Sequence, residues 1–268
     1  RLFLKGMGIF SSILNPDMPA SALPSITVIT PSYNQAEFLE YAIQSVLAQD
    51  IQDLEYIIVD GGSSDGSVDI IRKYEDHLAW WVSEADSGQA EAINKGFARA
   101  RGEYIAWLNS DDMYAPGALD QALDVLRANP EVGLVFGNAA SFTEDGYPLN
   151  DMIFKDYQLA DLMAFNIICQ PAVIFRKEIL EQAGYLNQDF HYMLDHHLWL
   201  RMASLTKIMH VPRLWAFARH HTSAKNVAQP AGFGREALEV LAWMETQPDM
   251  RAIIEHDPAP IYAGAYRF

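Results

Sequence analysis

The feature that most constrains the fold is a regular alternation of short apolar runs and helical patterns between residues 25 and 130. The short runs are rich in β-branched and aromatic residues and are typical of buried strands. The segments between them carry apolar residues near helical spacing. This alternation is typical of an α/β fold with a parallel sheet and crossover helices. The predicted strands are 26–30, 56–60, 78–83 and 104–108, and the predicted helices are 36–48, 67–74, 89–100 and 117–128.

The second half of the chain is less regular. It contains three further predicted strands and three predicted helices, whereas the last residues before Phe268 show only weak patterning. Residues 1–24 are apolar and then broken by three prolines, which indicates a tail or linker. The predicted strands are 132–138, 173–175 and 207–211, and the predicted helices are 158–165, 192–203 and 234–245.

Composition excludes several classes of protein. The 35 acidic and 19 basic residues give a net charge of −16, which argues against nucleic acid as the main partner. A small phosphorylated ligand remains compatible, because a bound metal neutralises its charge locally. The single cysteine, Cys169, fits a reducing compartment and a packed position. Without an apolar run long enough for a transmembrane segment, we expect a cytoplasmic protein, with peripheral association at the inner face of the membrane left open.

Polar residues follow three of the predicted strands, at Thr30–Asn34, at Asp60 and at Asn109–Asp112. In open α/β sheets, ligands bind outside the carboxyl ends of the strands, so these residues predict one pocket. The adjacent carboxylates of Asp111 and Asp112 suit a divalent cation such as Mg²⁺, which prefers oxygen ligands and shares them with substrate phosphates. The alternative is a solvated acidic turn.

Five motifs occur in a specific order: Ile29–Asn34, Ile58–Gly66, Leu108–Asp112, Gln170–Pro171 and Met193–Arg201. Together they resemble the family-2 inverting glycosyltransferases of the GT-A fold, over roughly 25–225. The resemblance implies a Rossmann-like, mostly parallel twisted sheet flanked by helices, with a smaller acceptor-side region and C-terminal helices. We therefore expect three parts, which are the tail 1–24, a GT-A catalytic domain 25–225 and a C-terminal helical extension 226–268.

The resemblance also implies a nucleotide-sugar donor. Residues 30–33 would offer backbone groups and an aromatic ring to the nucleotide. The Asp60 carboxylate would accept a hydrogen bond from an N–H of the nucleotide base, which favours UDP or dTDP. At three positions a role without donor binding remains open. Tyr33 would be an ordinary turn aromatic, Asp60 would cap its own loop, and Lys95 would be an exposed polar residue of a helix. Asn94, beside Lys95, is a further candidate for donor contact. The expected donor-binding residues are Thr30, Pro31, Ser32, Tyr33, Asp60, Gly61, Gly62, Lys95, Asn109 and Asp111.

By the same resemblance, Asp112 ligates Mn²⁺ or Mg²⁺ at the donor diphosphate, while Asp111 lies towards the ribose and assists. His221 is the candidate for a third metal ligand and His220 is the runner-up, within the basic segment Arg219–Lys225. Neutral imidazole is a common metal ligand. The alternative for this segment is a solvated basic loop.

Asp195 matches the catalytic base of the family, which accepts a proton from the acceptor hydroxyl. The sequence departs from the family at His197, where relatives often carry a second acid, so an acidic pair is in doubt. Gln170 and Trp199 are placed on the acceptor side. Trp107, Trp199 and Trp215 fit the core better than a sugar platform.

These observations predict a metal-dependent inverting glycosyltransferase that moves a sugar to a hydroxyl of a saccharide or glycolipid in cell-surface polysaccharide biosynthesis. One alternative is a sugar nucleotidyltransferase, but residues 30–34 lack the basic, glycine-rich loop expected after the first strand. Another is a non-catalytic saccharide-binding GT-A domain, against which the intact acidic residues argue. Those residues are Asp60, Asp111, Asp112 and Asp195.

Overall fold

A computed structural model describes residues 23–222, 224 and 229–268. Strands and helices alternate through the first half of this part of the chain, as predicted. The strands are β1 (Ile26–Ser32), β2 (Leu54–Asp60), β3 (Trp80–Ser83), β4 (Tyr104–Trp107), β5 (Met113–Tyr114), β6 (Val132–Thr143), β7 (Pro148–Met152), β8 (Val173–Arg176) and β9 (Lys207–His220). The helices are α1 (Leu39–Leu47), α2 (Ser67–Lys73), α3 (Gln89–Arg99), α4 (Ala118–Ala128), α5 (Leu159–Met163), α6 (Lys177–Ala183), α7 (Leu194–Ala203), α8 (Pro230–Thr246), α9 (Pro248–His256) and α10 (Pro258–Ala265), with short 3-10 turns at Glu75–His77 and Gln170–Ala172.

The described strands form one sheet in the order β3-β2-β1-β4-β8-β6-β9-β5, and β7 pairs with β6. Strands β3, β2, β1 and β4 are mutually parallel, and β6 is parallel to β9. Strand β8 is antiparallel to both of its neighbours, β4 and β6. The predicted α/β class is confirmed, and the parallel pairing that it implied is concentrated in the first four strands.

The core lies on both faces of this sheet, because successive side chains of a strand point to opposite faces. In β2, Ile57 and Val59 pack with α3, α7 and the C-terminal helices, whereas Tyr56 and Ile58 pack with α1 and α4. Burial on both faces explains why β1 and β2 are nearly continuous apolar runs rather than alternating ones.

The expectation of weak structure towards Phe268 is wrong, since α9 and α10 occupy most of that segment. Each of the two helices has a proline at its first or second position, where the missing N–H leaves no bond unmade. Their apolar residues Met250, Ile254 and Ile261 are buried in the same core as Trp107. Both helices are short, so their helical period was too brief to stand out in the sequence.

Strand β9 is also longer than predicted, and the reason is Pro212. A proline usually ends a central strand because it cannot donate to the ladder. Here the register with β6 jumps from Gly137–Val211 to Asn138–Leu214, so Pro212 lies in an irregularity and pairing continues beyond it. The continuation carries the strand to His220 and brings its end to the polar edge of the sheet.

The boundary predicted at residue 225 falls outside the described residues. On its C-terminal side, α8 contributes Ala237, Val240 and Met244 to the core that contains Trp107 and Trp199. In the described part of the chain, none of the helices combines the length and apolar composition of a membrane span.

Candidate active site

The four parallel strands end at one edge of the sheet, where the predicted polar residues meet. The register pairs Ser32 with Asp60 and Asp60 with Ser83, so three strand ends are aligned. The loops that follow are tied together, since the backbone N–H of Asn34 donates to Ser63 Oγ over 2.8 Å. The convergence inferred from the strand ends is therefore present in the structure.

Asp60 lies fully buried at the end of β2, and its carboxylate organises the loop that follows. Oδ2 accepts the N–H groups of Gly62 and Ser63 at 3.1 and 2.9 Å, and also the hydroxyl of Ser83 at 2.7 Å. Oδ1 accepts the Ser63 hydroxyl at 2.5 Å. The loop-capping role that competed with base binding in the sequence is thus realised. Two of the four donors are hydroxyls, which rotate freely enough to yield to a ligand N–H.

The two glycines after Asp60 hold the loop close to the segment that follows β3. A Cβ on Gly61 would lie 2.8 Å from Oδ2 of Asp86, so only glycine allows this approach. Gly62 has a φ of 83°, a conformation that also favours glycine. Asp86 is half-buried, and this burial raises the pKa of its carboxyl, while the Gly88 N–H opposes the rise.

The predicted donor residues of β1 differ in exposure. The Thr30 hydroxyl is fully buried and lies 3.0 Å from the Tyr56 hydroxyl, so it faces the core. Pro31 and Ser32 are also buried, whereas the Tyr33 ring is 62% exposed. Pairing between β1 and β4 ends at Ile29, so the backbone of 30–32 continues past the end of β4. The side chain of Tyr33 and the backbone before it are the groups that this strand offers to a ligand.

Asp111, Asp112 and His221 come together where β4 and β9 end. Nε2 of His221 lies 3.0 Å from Oδ2 of Asp111, and its ring packs on Phe38 with 4.8 Å between centroids. His221 is only 4% exposed, which contradicts the alternative of a solvated loop at this residue. The runner-up His220 is exposed, and Lys225 lies outside the described residues. The structure thus pairs the histidine with Asp111.

Asp112 is the residue beside His221 and Asp111 whose pKa is shifted by its surroundings. Its side chain is buried, and burial together with the nearby charge of Asp111 raises the pKa of Asp112 well above its ordinary value. The Arg219 backbone N–H donates to its Oδ1 at 3.0 Å and opposes that rise. Two close carboxylates with few cationic partners form a position that favours a bound cation.

Arg219 connects the acidic pair to the aromatic residues around it. Its Nε donates to the backbone oxygen of Asp111 over 3.0 Å. The guanidinium lies over the rings of Phe38 and Phe142, at 4.7 and 4.5 Å from their centroids. Burial lowers the pKa of Arg219, and the charges of Asp111 and Asp112 oppose this effect. Planar stacking on aromatic faces is specific to arginine among the cationic residues. The sequence showed Arg219 only as one member of a basic segment.

The residues of α3 are bound to other protein groups. Lys95 Nζ lies 3.0 Å from Glu84 and 2.9 Å from Glu91, so its charge is compensated. The Asn94 amide exchanges two hydrogen bonds with the backbone of Leu186, which corrects the expectation that it faces the donor. Asn109 differs, since its Oδ1 accepts from Gln89 while its side chain also donates to Asp112. Asn109 therefore forms one cluster with Asp111 and Asp112, and this cluster is the acidic corner.

The two expected acceptor-side residues occupy different places. Gln170 is 8% exposed, and its amide donates to the backbone oxygen of Trp107 over 2.9 Å at the end of β4. Trp199 is 1% exposed and stacks on Trp107 with 5.2 Å between centroids, so its ring is in the core. The acceptor-side assignment of Trp199 is therefore corrected. Trp215, also fully buried, agrees with the expected core role.

Asp195 lies in the first turn of α7. Burial raises the pKa of the Cys169 thiol strongly, and the charges of Asp112 and Asp195 both add to that rise. Cys169 therefore lies within electrostatic range of both carboxylates. This places the expected base and the acidic corner around one residue, although they are far apart in the sequence.

His197, which stands where relatives often carry an acid, is a packing residue. Its ring is 4% exposed and lies 4.4 Å from Trp243 and 4.6 Å from Phe190 between centroids. Burial, with a smaller effect from the Arg201 charge, lowers the pKa of His197 to about 3. The imidazole is neutral at physiological pH, and no second acid acts at this position.

The donor atoms at the acidic corner fit a divalent ion that is shared with a substrate. Neighbouring ligands around Mg²⁺ or Mn²⁺ at about 2.1 Å lie about 3 Å apart, which matches the separation of His221 Nε2 and Asp111 Oδ2. No cluster of three or more candidate ligands occurs among the described residues. The described side chains therefore form no complete metal site on their own.

Comparison with known families identifies the class. The model of glycosyl transferase family 2 matches residues 27–184, which include residues 30–33, Asp60, Asn109–Asp112 and Gln170. The chain belongs to this family, and the domain is a glycosyltransferase domain. Membership of this family argues against the alternative that the chain is a sugar nucleotidyltransferase.

Among individual relatives, the putative teichuronic acid biosynthesis glycosyltransferase TuaG of Bacillus subtilis is 35% identical over 161 residues. The match covers 58% of this chain and 64% of that protein. Two further relatives, uncharacterised glycosyltransferases of Nostoc and Rickettsia typhi, are covered over 52% and 60% of their lengths. The chain therefore covers between half and two thirds of the length of each of these three relatives.

Solved structures share the fold. TarS 1–349 of S. aureus in complex with UDP-GlcNAc has a TM-score of 0.69 and 17% identity, covering 83% of this chain and 67% of that one. The mannosyltransferase PcManGT of Pyrobaculum calidifontis, in complex with GDP-Man and Mn²⁺, has a TM-score of 0.63 and 22% identity, covering 92% and 70%. The GT-A fold expected from the sequence is confirmed.

Proposed function

We propose that this domain transfers a sugar from a nucleotide-diphosphate sugar to a hydroxyl of a saccharide or glycolipid, with inversion and with a divalent metal. One observation carries the proposal. Two adjacent carboxylates, the buried Asp112 and the partly exposed Asp111, lie with His221 at the ligand-binding edge of a family-2 domain. That edge is where open α/β sheets bind nucleotides.

The donor would lie across the ends of β1, β2 and β4. Tyr33 and the backbone of 30–32 would contact the base and ribose, and Asp60 would accept a base N–H in place of a serine hydroxyl. An N–H adjacent to two carbonyls, as in uracil and thymine, matches an acceptor-only carboxylate, which favours UDP or dTDP. The TarS complex holds UDP-GlcNAc, whereas the PcManGT complex holds GDP-Man, so the choice of base needs a direct test.

Asp112 and Asp111, with His221, would hold Mn²⁺ or Mg²⁺ together with the diphosphate. When bound, the ion neutralises charge that develops on the departing nucleoside diphosphate. The chain's own contribution is to bury Asp112, to fix it through the Arg219 backbone N–H, and to hold Asp111 beside His221. The PcManGT structure, which contains Mn²⁺, supports use of a divalent metal by this fold.

Asp195 would accept the proton of the acceptor hydroxyl as that oxygen attacks the anomeric carbon. Attack from the side opposite the leaving diphosphate inverts the configuration. A base must reach the proton that it abstracts. The charges of Asp112 and Asp195 both act on Cys169, which supports an arrangement in which the base and the diphosphate site converge. Gln170, buried beside the end of β4, would border the acceptor.

The acceptor class follows from the relatives rather than from the site. TuaG is named for teichuronic acid biosynthesis, and the Myxococcus xanthus protein RfbC for O-antigen biosynthesis. Both names concern cell-surface polysaccharides, so we infer an acceptor of that kind. A nucleotide-sugar donor and a single cysteine fit the cytoplasmic side of the membrane.

Calorimetric titration with UDP, dTDP and GDP, each with and without Mn²⁺, tests the proposal. We expect one pyrimidine diphosphate to bind only when Mn²⁺ is present, and Asp112→Asn to abolish this binding. The exposed Asp120→Asn on α4 removes the same charge elsewhere and should bind as the native chain does. Absence of binding by all three nucleotides would refute the proposed metal-dependent donor site. Tighter binding of GDP would refute the preference for uracil or thymine.

A further inference from the structure

The carboxylate of Glu236 lies in the interior, against the start of the helix that carries Asp195. Glu236 belongs to α8 and is 4% exposed. Its Oε1 accepts the backbone N–H of His191 at 2.8 Å. Its Oε2 accepts those of Tyr192 and Met193 at 2.7 and 2.8 Å. One side chain thus binds three consecutive backbone donors that immediately precede α7.

This arrangement places a negative charge at the start of α7, and one of its three donors is the N–H of Met193, the residue that directly precedes the helix. The first N–H groups of a helix have no partner within the helix, and a negative charge near them is favourable. The residue that precedes α7, Met193, provides no side-chain cap. A buried glutamate is expensive unless it is fully hydrogen-bonded, and the three donors meet that requirement. The segment 191–193 is therefore fixed by a residue more than 40 positions further along the chain.

Helix α8 contacts the same segment at two further points. The Tyr192 ring packs on Phe233 with 5.1 Å between centroids, and a Cβ on Gly232 would lie 2.4 Å from that ring. One turn into α7, the His197 ring packs edge-on against Trp243 at 4.4 Å. The backbone before Asp195 and the residue after its turn are therefore both held by α8.

We propose that Glu236 is a positioning residue, which holds the backbone before α7 so that Asp195 is kept in place as the base. This inference rests on the proposed function, in which Asp195 accepts the proton. The Asp195 carboxylate in the first turn of α7 moves with residues 191–193, because only Leu194 separates Asp195 from Met193. Small displacements of a catalytic group reduce turnover while leaving donor binding intact, since the donor site is built from β1, β2 and β4.

The first test is structural and needs no substrate. Glu236→Gln keeps the size of the side chain but replaces one acceptor oxygen with a donor, which faces at least one backbone N–H. Hydrogen exchange measured by mass spectrometry should show faster exchange over 190–198, with 104–112 unchanged. Glu239→Gln, the same change at an exposed position of α8, should leave both segments unchanged. Unchanged exchange over 190–198 in Glu236→Gln would overturn the proposal.

The second test is kinetic and uses water as the acceptor. The readout is release of UDP from UDP-GlcNAc in the presence of Mn²⁺. If a screen shows that another nucleotide sugar is hydrolysed faster, release of its diphosphate is measured instead. Glu236→Gln should lower kcat about tenfold, while the KM for the donor stays within about twofold. In an Asp195→Asn background, the same change should cause no further loss, because it acts through Asp195. An equal further loss, or an effect confined to KM, would overturn the positioning role.

The outcomes separate this proposal from the proposed function. Full hydrolysis by Asp195→Asn alone would refute the base assignment whatever Glu236 does. If the native chain neither hydrolysed a nucleotide sugar nor bound a nucleoside diphosphate with Mn²⁺, the proposed function would be refuted, and with it the catalytic part of this proposal. The exchange measurement would still decide whether Glu236 holds the segment. Glu236→Asp, which shortens the side chain by one methylene, should resemble Glu236→Gln, because the carboxylate no longer reaches all three donors.

Discussion

The buried His197 makes the stability of this domain depend on pH in a predictable way. Its ring packs between Trp243 and Phe190, and burial lowers the pKa of His197 to about 3 from 6.5. The unfolded chain binds a proton at this residue below about pH 6.5, whereas the folded chain does not. The unfolded state therefore gains protons as the pH falls, and the free energy of unfolding decreases.

The size of the effect follows from linkage. Each proton bound only by the unfolded state changes the free energy of unfolding by about 1.4 kcal/mol per pH unit. Between pH 7 and pH 5, which stays above the pI of about 4.7, His197 alone should account for a loss of about 2 kcal/mol. Replacing it with leucine, which has a similar volume and no charge, should remove this contribution. His196, whose pKa burial lowers to about 4, should still contribute in the variant.

Urea unfolding followed by tryptophan fluorescence, repeated at pH 5, 6 and 7, measures the difference. The native chain should lose about 2 kcal/mol more than His197→Leu over this range. The exposed His256→Leu, at the end of α9, serves as the matched control and should run parallel to the native chain. Parallel curves for His197→Leu and the native chain would refute the buried neutral imidazole. The difference between the native and His197→Leu curves isolates His197, because the other titrating groups contribute equally to the pH dependence of both.

Three further predictions concern the acidic corner and the core. Asp112→Asn should keep or raise the melting temperature, because it removes a buried charge beside Asp111, yet it should abolish Mn²⁺-dependent binding of UDP. Trp199→Ala should lower the free energy of unfolding by about 3–5 kcal/mol, measured in urea, since it empties the position stacked on Trp107. Arg219→Lys retains the charge but loses the planar stacking, so calorimetry should show UDP binding weakened about tenfold in Mn²⁺, whereas unchanged affinity would contradict its structural role.

The part of the fold that the sequence predicts well is the part in which local pattern and tertiary environment agree. Strands β1, β2 and β4 are buried on both faces, so their apolar runs are unmistakable. Their parallel order then requires that the polar residues after them share one edge. The position of the acidic corner is therefore predictable from the sequence alone.

The remainder depends on contacts that no local pattern contains. Arg219 Nε donates to Asp111 across 108 positions, and His221 meets Asp111 across 110. Glu236 was indistinguishable from an exposed helical acid, because its three backbone partners carry no sequence signal. Trp199 shows the converse, since its place beside a catalytic motif indicated a substrate contact while its size favoured the core, and the core was correct.

The measurement that tests the central claim most directly compares Asp195→Asn with the native chain in two assays on the same preparation. The first follows release of nucleoside diphosphate from the nucleotide sugar identified by the donor screen. The second is calorimetric binding of that diphosphate with Mn²⁺. We predict that the amide variant loses turnover by about a hundredfold or more, as expected for removal of a general base, while its affinity stays within about twofold of the native value. Full turnover by Asp195→Asn, or loss of binding together with turnover, would contradict a separate base on α7 and a donor site at the sheet edge.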